Sequence, residues 1–443
     1  MLSGSAAAER RFRTILLILG LATLEAAGCR RPEPEIDRPS VERIISALSA
    51  DDMQGRRALT PAAERAARFI RGEFESIGLE PLTGAQGYLQ RFPVYALSVA
   101  SSRVLLNGRQ LPAERTAFSL STSSVHWATD DAVDVVVIAA GDSPRQIFSA
   151  VFTRRGSNRL VLISPEHESV FERAKGFLAG PSRTLDLEGG ASVALVLTGD
   201  TILTSYEVEA TASVEEQELI NVVGAIPGKR RDEAVLFSAH YDHIGIRDPV
   251  DGDSIANGAN DNASGTTAVI ELARYFKAKG KPTRTLVFVA FAAEEMGGYG
   301  SQYFSKQVDA DEIVAMFNIE MIGKAAAQGP NTVWITGFDL TDVGAILQQP
   351  VEGTEYRFVA DPYPEQNLFF RSDNAVFARL GVPAHSLSTT SLDLDPDYHQ
   401  VSDEVETLDL DHLTKVIRAI AKAASAIVSG AATPARIDPA GLE

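Results

Sequence analysis

Seven acid and imidazole side chains carry the chemistry this sequence can do: His240, Asp242, Asp261, adjacent Glu294 and Glu295, Glu320 and His399, the last preceded by Tyr398. Carboxylates and imidazoles without sulfur suit zinc, and a carboxylate has two oxygens with which to bridge a metal pair. Two metals about 3.5–4 Å apart can bind an activated water and a substrate carbonyl at once. Glu294 and Glu295 cannot share one role, because neighbouring side chains in an extended segment point apart. Spacing alone does not choose which of them is a ligand and which a base. Taken singly, each group has an ordinary explanation. A histidine at a strand end is commonly a hydrogen-bonded core residue, paired glutamates are commonly solvated, and Asp261-Asn262 between glycines is a turn signature.

Their joint placement argues otherwise. Apolar runs at 234–239, 285–291, 314–319 and 383–387 read as buried strands, and 264–279 and 413–428 as amphipathic helices. That alternation predicts an α/β fold, a mixed central sheet covered by helices on both faces. Ligand-bearing residues in such sheets gather beyond the carboxyl ends of strands. His240 and Asp242, Glu294-Glu295, Glu320 and Tyr398-His399 follow successive strands there, and Asp261 lies in a loop ahead of a helix. Upstream, residues 41–82 are helical in pattern: Ile44, Ile45 and Leu48 recur at helical spacing, then Ala63, Ala67, Ile70 and Phe74, stopped at Gly78. Between residues 86 and 214 the texture becomes β-like, with runs at 102–106, 133–138, 160–163 and 193–197. The expectation is a catalytic domain built from 41–85 and 215–432, interrupted by an inserted β-rich domain at 86–214.

The 443 residues are 45% hydrophobic and 23% charged, ordinary globular composition with room for more than one domain. A formal charge of −18 argues against non-specific nucleic-acid binding, which requires a basic surface. The one cysteine, Cys29, excludes a disulfide framework and a thiolate metal site. Arg10, Arg11 and Arg13 precede an apolar run over 14–24 and then Ala26-Ala27-Gly28-Cys29. A basic start, a short apolar stretch and small residues read as an export signal over 1–29. The run is too short to span a membrane, which takes about 20 apolar residues. Small residues ending on cysteine resemble a bacterial lipobox, which implies lipidation of Cys29, a polar tether over 30–40 and an exported protein held to the membrane by its lipid anchor alone; the alternative is a plain secretory signal with an incidental Cys29 and a secreted protein.

The segments around the candidate ligands resemble peptidase family M28: "SAHYDHIG", "GANDNASG", "AAEEMGGYGS", "NIEMIG" and "DYHQVSDEVET", in that order, with "MQGR" and "AARFIRGEFESIGLEPL" fitting the family's N-terminal entry. The resemblance covers about 221–428. It implies a zinc-exopeptidase fold and two zinc ions bridged by Asp261, one also held by His240 and Glu320, the other by Glu295 and His399. By the same resemblance Glu294 is the general base, Asp242 orients His240, Tyr398 polarises the substrate carbonyl, and a cis peptide follows Asp261. The implied reaction is removal of N-terminal residues from peptides with a free amino terminus, through zinc-bound hydroxide. Two departures stand out. Glu320 occupies a position where the family usually has Asp, which leaves a single-metal enzyme open, and Ser372-Asp373-Asn374 stands where relatives often read Ser-Asp-His. His243 receives no assignment, and His126, His167, His385 and His412 are read as structural. The insert resembles a protease-associated domain. Alternatives to an aminopeptidase are a single-zinc enzyme resembling glutaminyl cyclases and a catalytically inactive binding ectodomain.

Overall fold

A computed structural model describes residues 1, 34–82, 84–143, 146–147, 156–392 and 394–442. Cys29 and, apart from Met1, the segment read as an export signal lie outside the described residues. Residues 36–443 cluster as one unit.

Two helices open this unit. Helix α1 (Arg38–Leu48) starts at Asp37, whose carboxylate accepts from Ser40 N. Helix α2 (Pro61–Ile77) has proline in its first turn and ends at Gly78, left-handed at φ 76°. Strands β1 (Leu89–Leu106) and β2 (Tyr206–Ile226) form a long antiparallel ribbon. There follow β3 (Arg230–His240), helix α3 (Gly265–Lys279), β4 (Arg284–Phe291), β5 (Ile313–Ile319), β6 (Thr332–Ile335), β7 (Arg357–Ala360), β8 (Ala384–Ser388) and helix α4 (Leu410–Ala423). The sheet order is β7-β6-β8-β5-β3-β4-β2-β1. Pairing is parallel between β3 and β4, β3 and β5, β5 and β8, and β6 and β7, and antiparallel elsewhere.

Alternation along the central strands divides the core between two faces. Val235, Phe237 and Ala239 of β3, Leu286, Phe288 and Ala290 of β4, and Ala315, Phe317 and Ile319 of β5 pack against α1 to α4. Leu236, Val287, Val289, Phe291 and Met316 face the other way, against Phe304 and Phe377 of the helices Tyr299–Ser305 and Asn374–Ala378. Phe237 anchors the first face, its ring 5.5 Å from those of Phe276, Phe288 and Phe317. The expected mixed sheet with helices on both faces is what the chain forms.

The insert requires a correction. It was expected to be separate from residue 86 to 214, yet β1 and β2 run through both boundaries without a linker. Leu89↔Val222 and Leu97↔Val214 are rungs of one continuous ladder, and β2 also pairs with β4. The core does change along this ribbon: Phe92 and Val94 pack with the α1 to α4 face, whereas Leu97, Val104 and Leu106 belong to a second cluster. A four-stranded sheet, ordered Thr116–Ser119, Val193–Leu197, Asn158–Ile163 and Val133–Ile138, lies between this outer ribbon and the helix Glu168–Phe177. Long strands were hidden in the sequence because the middle of β2 (Thr211-Ala212-Ser213-Val214-Glu215-Glu216-Gln217-Glu218) is polar on both faces, being exposed or half-buried.

Candidate metal centre

The candidate ligands meet where β3, β4 and β5 end. His240 is the last residue of β3, Glu294 and Glu295 follow β4, and Glu320 follows β5. Asp261 lies in the turn Ala259–Ser264 that leads into α3, with a cis peptide to Asn262, as the family resemblance implied. Gly258 has φ 58°, and a Cβ there would sit 2.3 Å from the Asp261 carbonyl and 2.5 Å from the His243 ring, so only glycine fits this entry. Three non-glycine residues flanking or providing ligands are also left-handed: Ala293 (φ 59°), Met321 (φ 50°) and His399 (φ 57°). Each such residue costs about 1–3 kcal/mol and persists where surrounding structure enforces it, commonly at functional sites.

Asp261 is shared by two donor sets. Its Oδ1 is 3.4 Å from His240 Nε2, which is 3.1 Å from Glu320 Oε1. Its Oδ2 is 3.2 Å from His399 Nε2, which is 3.3 Å from Glu295 Oε2. Zinc–nitrogen and zinc–oxygen bonds of about 2.0–2.1 Å at a tetrahedral angle imply ligand edges of about 3.3–3.4 Å. The four distances match those edges. His240 and Asp261 are almost wholly buried, with side chains 2% and 4% exposed, and burying several carboxylates together requires matching positive charge. Burial pushes the Asp261 carboxyl up, but the imidazoles of His243, His240 and His399 outweigh it and hold it well below the usual range. Glu294 behaves oppositely: burial, reinforced by the Asp373, Glu320 and Glu295 carboxylates, raises it well above the usual value. A carboxyl of raised pKa beside a ligand cluster suits proton transfer.

Several neighbours depart from the sequence reading or were missed by it. His243 is buried beside the second donor set, its Nδ1 2.8 Å from Glu295 Oε1 and 3.8 Å from Asp261 Oδ2, and could serve as a further ligand there. Its position three residues after His240 was the available signal. Asp242 was expected to orient His240 through its carboxylate. Instead its main-chain oxygen takes the close position, 3.1 Å from His240 Nδ1, against 3.9 Å for Oδ1. That carboxylate accepts from Glu294 N at 3.1 Å, so it positions Glu294 rather than the imidazole. The Glu320 side chain is steadied by Ser372, whose hydroxyl donates to Oε2 at 2.9 Å, which gives the Ser372 segment a role. Asp403, unassigned in the sequence, accepts from the backbone N–H of both Asn260 and Asp261 at 2.9 Å and ties the His399 loop to the bridging residue.

Tyr398 stacks on His399, ring centroids 4.0 Å apart, and burial raises its phenol, which keeps it a hydrogen-bond donor at neutral pH. Tyr398, the two donor sets and Glu294 line one cavity of about 330 Å³, walled further by Trp334, Leu368 and Leu392. The remaining histidines lie apart from it. His385 bonds Thr336 and Thr341 inside the core and is pushed down to about 4 by burial, His412 contacts Thr389, and His167 contacts the Ala139 carbonyl.

An α/β sheet whose strand ends gather one carboxylate between two N/O donor sets is a fold and site suited to holding metal. Residues 221–424 match the model of peptidase family M28. It is 32% identical over 203 residues to a "Probable leucine aminopeptidase" of Trichophyton verrucosum, covering 44% of this chain and 53% of that protein. It is 30% identical over 203 residues to "Leucine aminopeptidase 1" of Trichophyton rubrum, covering 44% and 54%. The chain thus spans about half the length of the curated relatives it matches. Its fold is similar to that of BSAP, a zinc aminopeptidase from Bacillus subtilis, at a TM-score of 0.55 and 18% identity over 90% of this chain and 96% of the other.

Proposed function

We propose that the chain is a zinc-dependent aminopeptidase that removes N-terminal residues from peptides. The observation carrying this reading is the pair of donor sets joined through Asp261, with edges of tetrahedral size and Glu294 beside them. His240, Asp261 and Glu320 would hold one zinc, and Asp261, Glu295 and His399 the other, with His243 in reach of the second. When bound, the metals supply Lewis acidity that lowers the pKa of water and polarises a carbonyl. Glu294 takes the proton of the attacking water and returns it to the leaving amine, a role suited to its raised pKa. Tyr398 donates to the oxygen on which negative charge develops. The substrate's free α-amine, a cation, is drawn to the Glu294 and Glu320 carboxylates, while its side chain enters the cavity by Trp334, Leu368 and Leu392. The names of the relatives agree with this activity.

The test is a panel of aminoacyl amides, their N-acetylated counterparts and a peptide with N-terminal glutamine, assayed on zinc-loaded protein. Release from the free amides alone is expected. Cyclisation of glutamine without hydrolysis would favour a cyclase, and zinc binding without turnover a binding ectodomain. We further propose export and lipid anchoring at Cys29, motivated by the basic–apolar–small–Cys order. Cys29→Ala should move the protein from membranes to the soluble exported fraction, and a soluble wild-type protein with unmodified Cys29 would contradict it.

A further inference from the structure

Arg56 lies in the short segment between α1 and α2, far in sequence from every candidate ligand, yet its side chain is fully buried beneath the metal centre. Nε donates to the Tyr241 carbonyl at 2.7 Å, Nη1 to the carbonyls of Leu48 at 2.7 Å and Asn257 at 2.6 Å, and Nη2 to that of Gly258 at 2.8 Å. Tyr241 stands directly after the ligand His240, and Asn257-Gly258 directly before the turn that carries Asp261. One planar guanidinium therefore spans the two loops that bring opposite edges of the first donor set together. The backbone is shaped for this reach: Gln54, Gly55 and Arg56 are all left-handed, at φ 48°, 62° and 50°. A Cβ on Gly55 would lie 2.2 Å from the Ala256 carbonyl, so the segment enters against the Asp261 loop without clearance. Burial brings the guanidinium down only to about 10, with Asp403, Asp242, Asp261 and Glu295 opposing the fall, so it stays charged at neutral pH.

We propose that Arg56 is a positioning residue of the metal centre, whose fork of donors sets the spacing between the His240 and Asp261 loops and so sets zinc affinity. The proposal rests on the zinc reading above. Lysine keeps the positive charge but presents a point rather than a planar fork, so it cannot hold the three loop carbonyls in the same geometry. Residues acting behind first ligands typically contribute about 10–100-fold in metal affinity.

The experiment uses the full chain, stripped of metal, with Arg56→Lys and Arg56→Met beside wild type. Thermal melting of the stripped proteins reports folding, and competition against a chelator reports zinc affinity. Expected is a stripped Arg56→Lys protein that melts as wild type does but binds zinc at least about tenfold more weakly, with Arg56→Met weaker still. Undiminished affinity in Arg56→Lys would overturn the role of the fork, and an unfolded Arg56→Lys protein would make Arg56 a residue of the fold rather than of the site. Wild-type protein that binds no zinc would sink the metallopeptidase reading and this proposal together, whereas wild-type binding with unaffected variants would sink this proposal alone.

Discussion

Among the described residues an imidazole meets two carboxylates both on the outer sheet and at the strand ends, and the two places are built differently. On the outer ribbon, His126 faces Glu207 and Glu209 at 3.9 and 3.7 Å, with side chains 64%, 36% and 42% exposed. Arg103 already bonds both carboxylates, at 2.7 and 2.9 Å. These are cross-strand neighbours on a solvated sheet face, where ion pairs contribute little. At the strand ends His240, Asp261 and Glu320 are the same residue types, but buried, with one carboxylate shared by a second set. Asp403, Ser372 and Asp242 hold the Asp261 turn, Glu320 and Glu294 from behind. Residue type does not distinguish the clusters. Burial, a shared carboxylate and supporting hydrogen bonds do.

The largest effects should come from separating catalysis from metal binding within one dipeptide. Glu294→Gln is nearly isosteric but accepts no proton, so turnover should fall about 10²–10⁴-fold with both zincs retained. Glu295→Gln should lose one zinc and regain activity partly with excess metal. A metal-depleted Glu294→Gln beside a metal-replete Glu295→Gln would reverse the two roles. Tyr398→Phe should lower kcat about 10²–10³-fold, the usual loss of one oxyanion donor, and an unchanged kcat would make Tyr398 a packing residue.

The pH dependence is a smaller effect with a defined sign. Burial lowers His399, but ion pairs with Asp261 and Glu295 prevail and raise it from 6.5 to about 10. Without metal the imidazole is therefore protonated at neutral pH, and zinc must displace that proton. Zinc affinity at this set should rise about tenfold per pH unit up to about 10, read by chelator competition at pH 6, 7 and 8. A folded-state pKa above the unfolded one stabilises the stripped protein most below about 6.5, and that contribution is lost as pH rises towards 10. The gain in melting temperature on adding zinc should accordingly grow with pH, and a gain that shrinks would contradict the His399 assignment. At the bottom of the scale, His126→Ala should change neither zinc affinity nor turnover. A measurable loss of zinc there would mean that the exposed cluster binds metal after all.

How much of this was legible follows from where each residue sits. His240, Asp261, Glu294, Glu295 and Glu320 stand at the ends of apolar runs or in a glycine-flanked turn, so period and punctuation reveal them, whereas His399, eleven residues past β8, was marked only by its resemblance to the family's final segment. The supporting residues carry no such signal. Arg56 reads as a charge in a loop until its carbonyl partners are known, and Asp403 and Ser372 act through hydrogen bonds across 142 and 52 residues. His243 was passed over because the family resemblance assigns it no role, although it follows His240 by three residues. The four-residue strands β6 and β7 were too short to show a period, and the polar middle of β2 concealed the ribbon that joins the insert to the catalytic sheet.

The most direct test of the shared-carboxylate centre is a zinc count on wild-type protein and Asp261→Ala, by metal analysis after dialysis against a weak chelator. Two zincs per chain are expected for wild type, and both should be lost together in the variant, because Asp261 contributes an oxygen to each set. A wild-type protein with a single zinc, or an Asp261→Ala protein that keeps one zinc at wild-type affinity, would contradict the bridged centre.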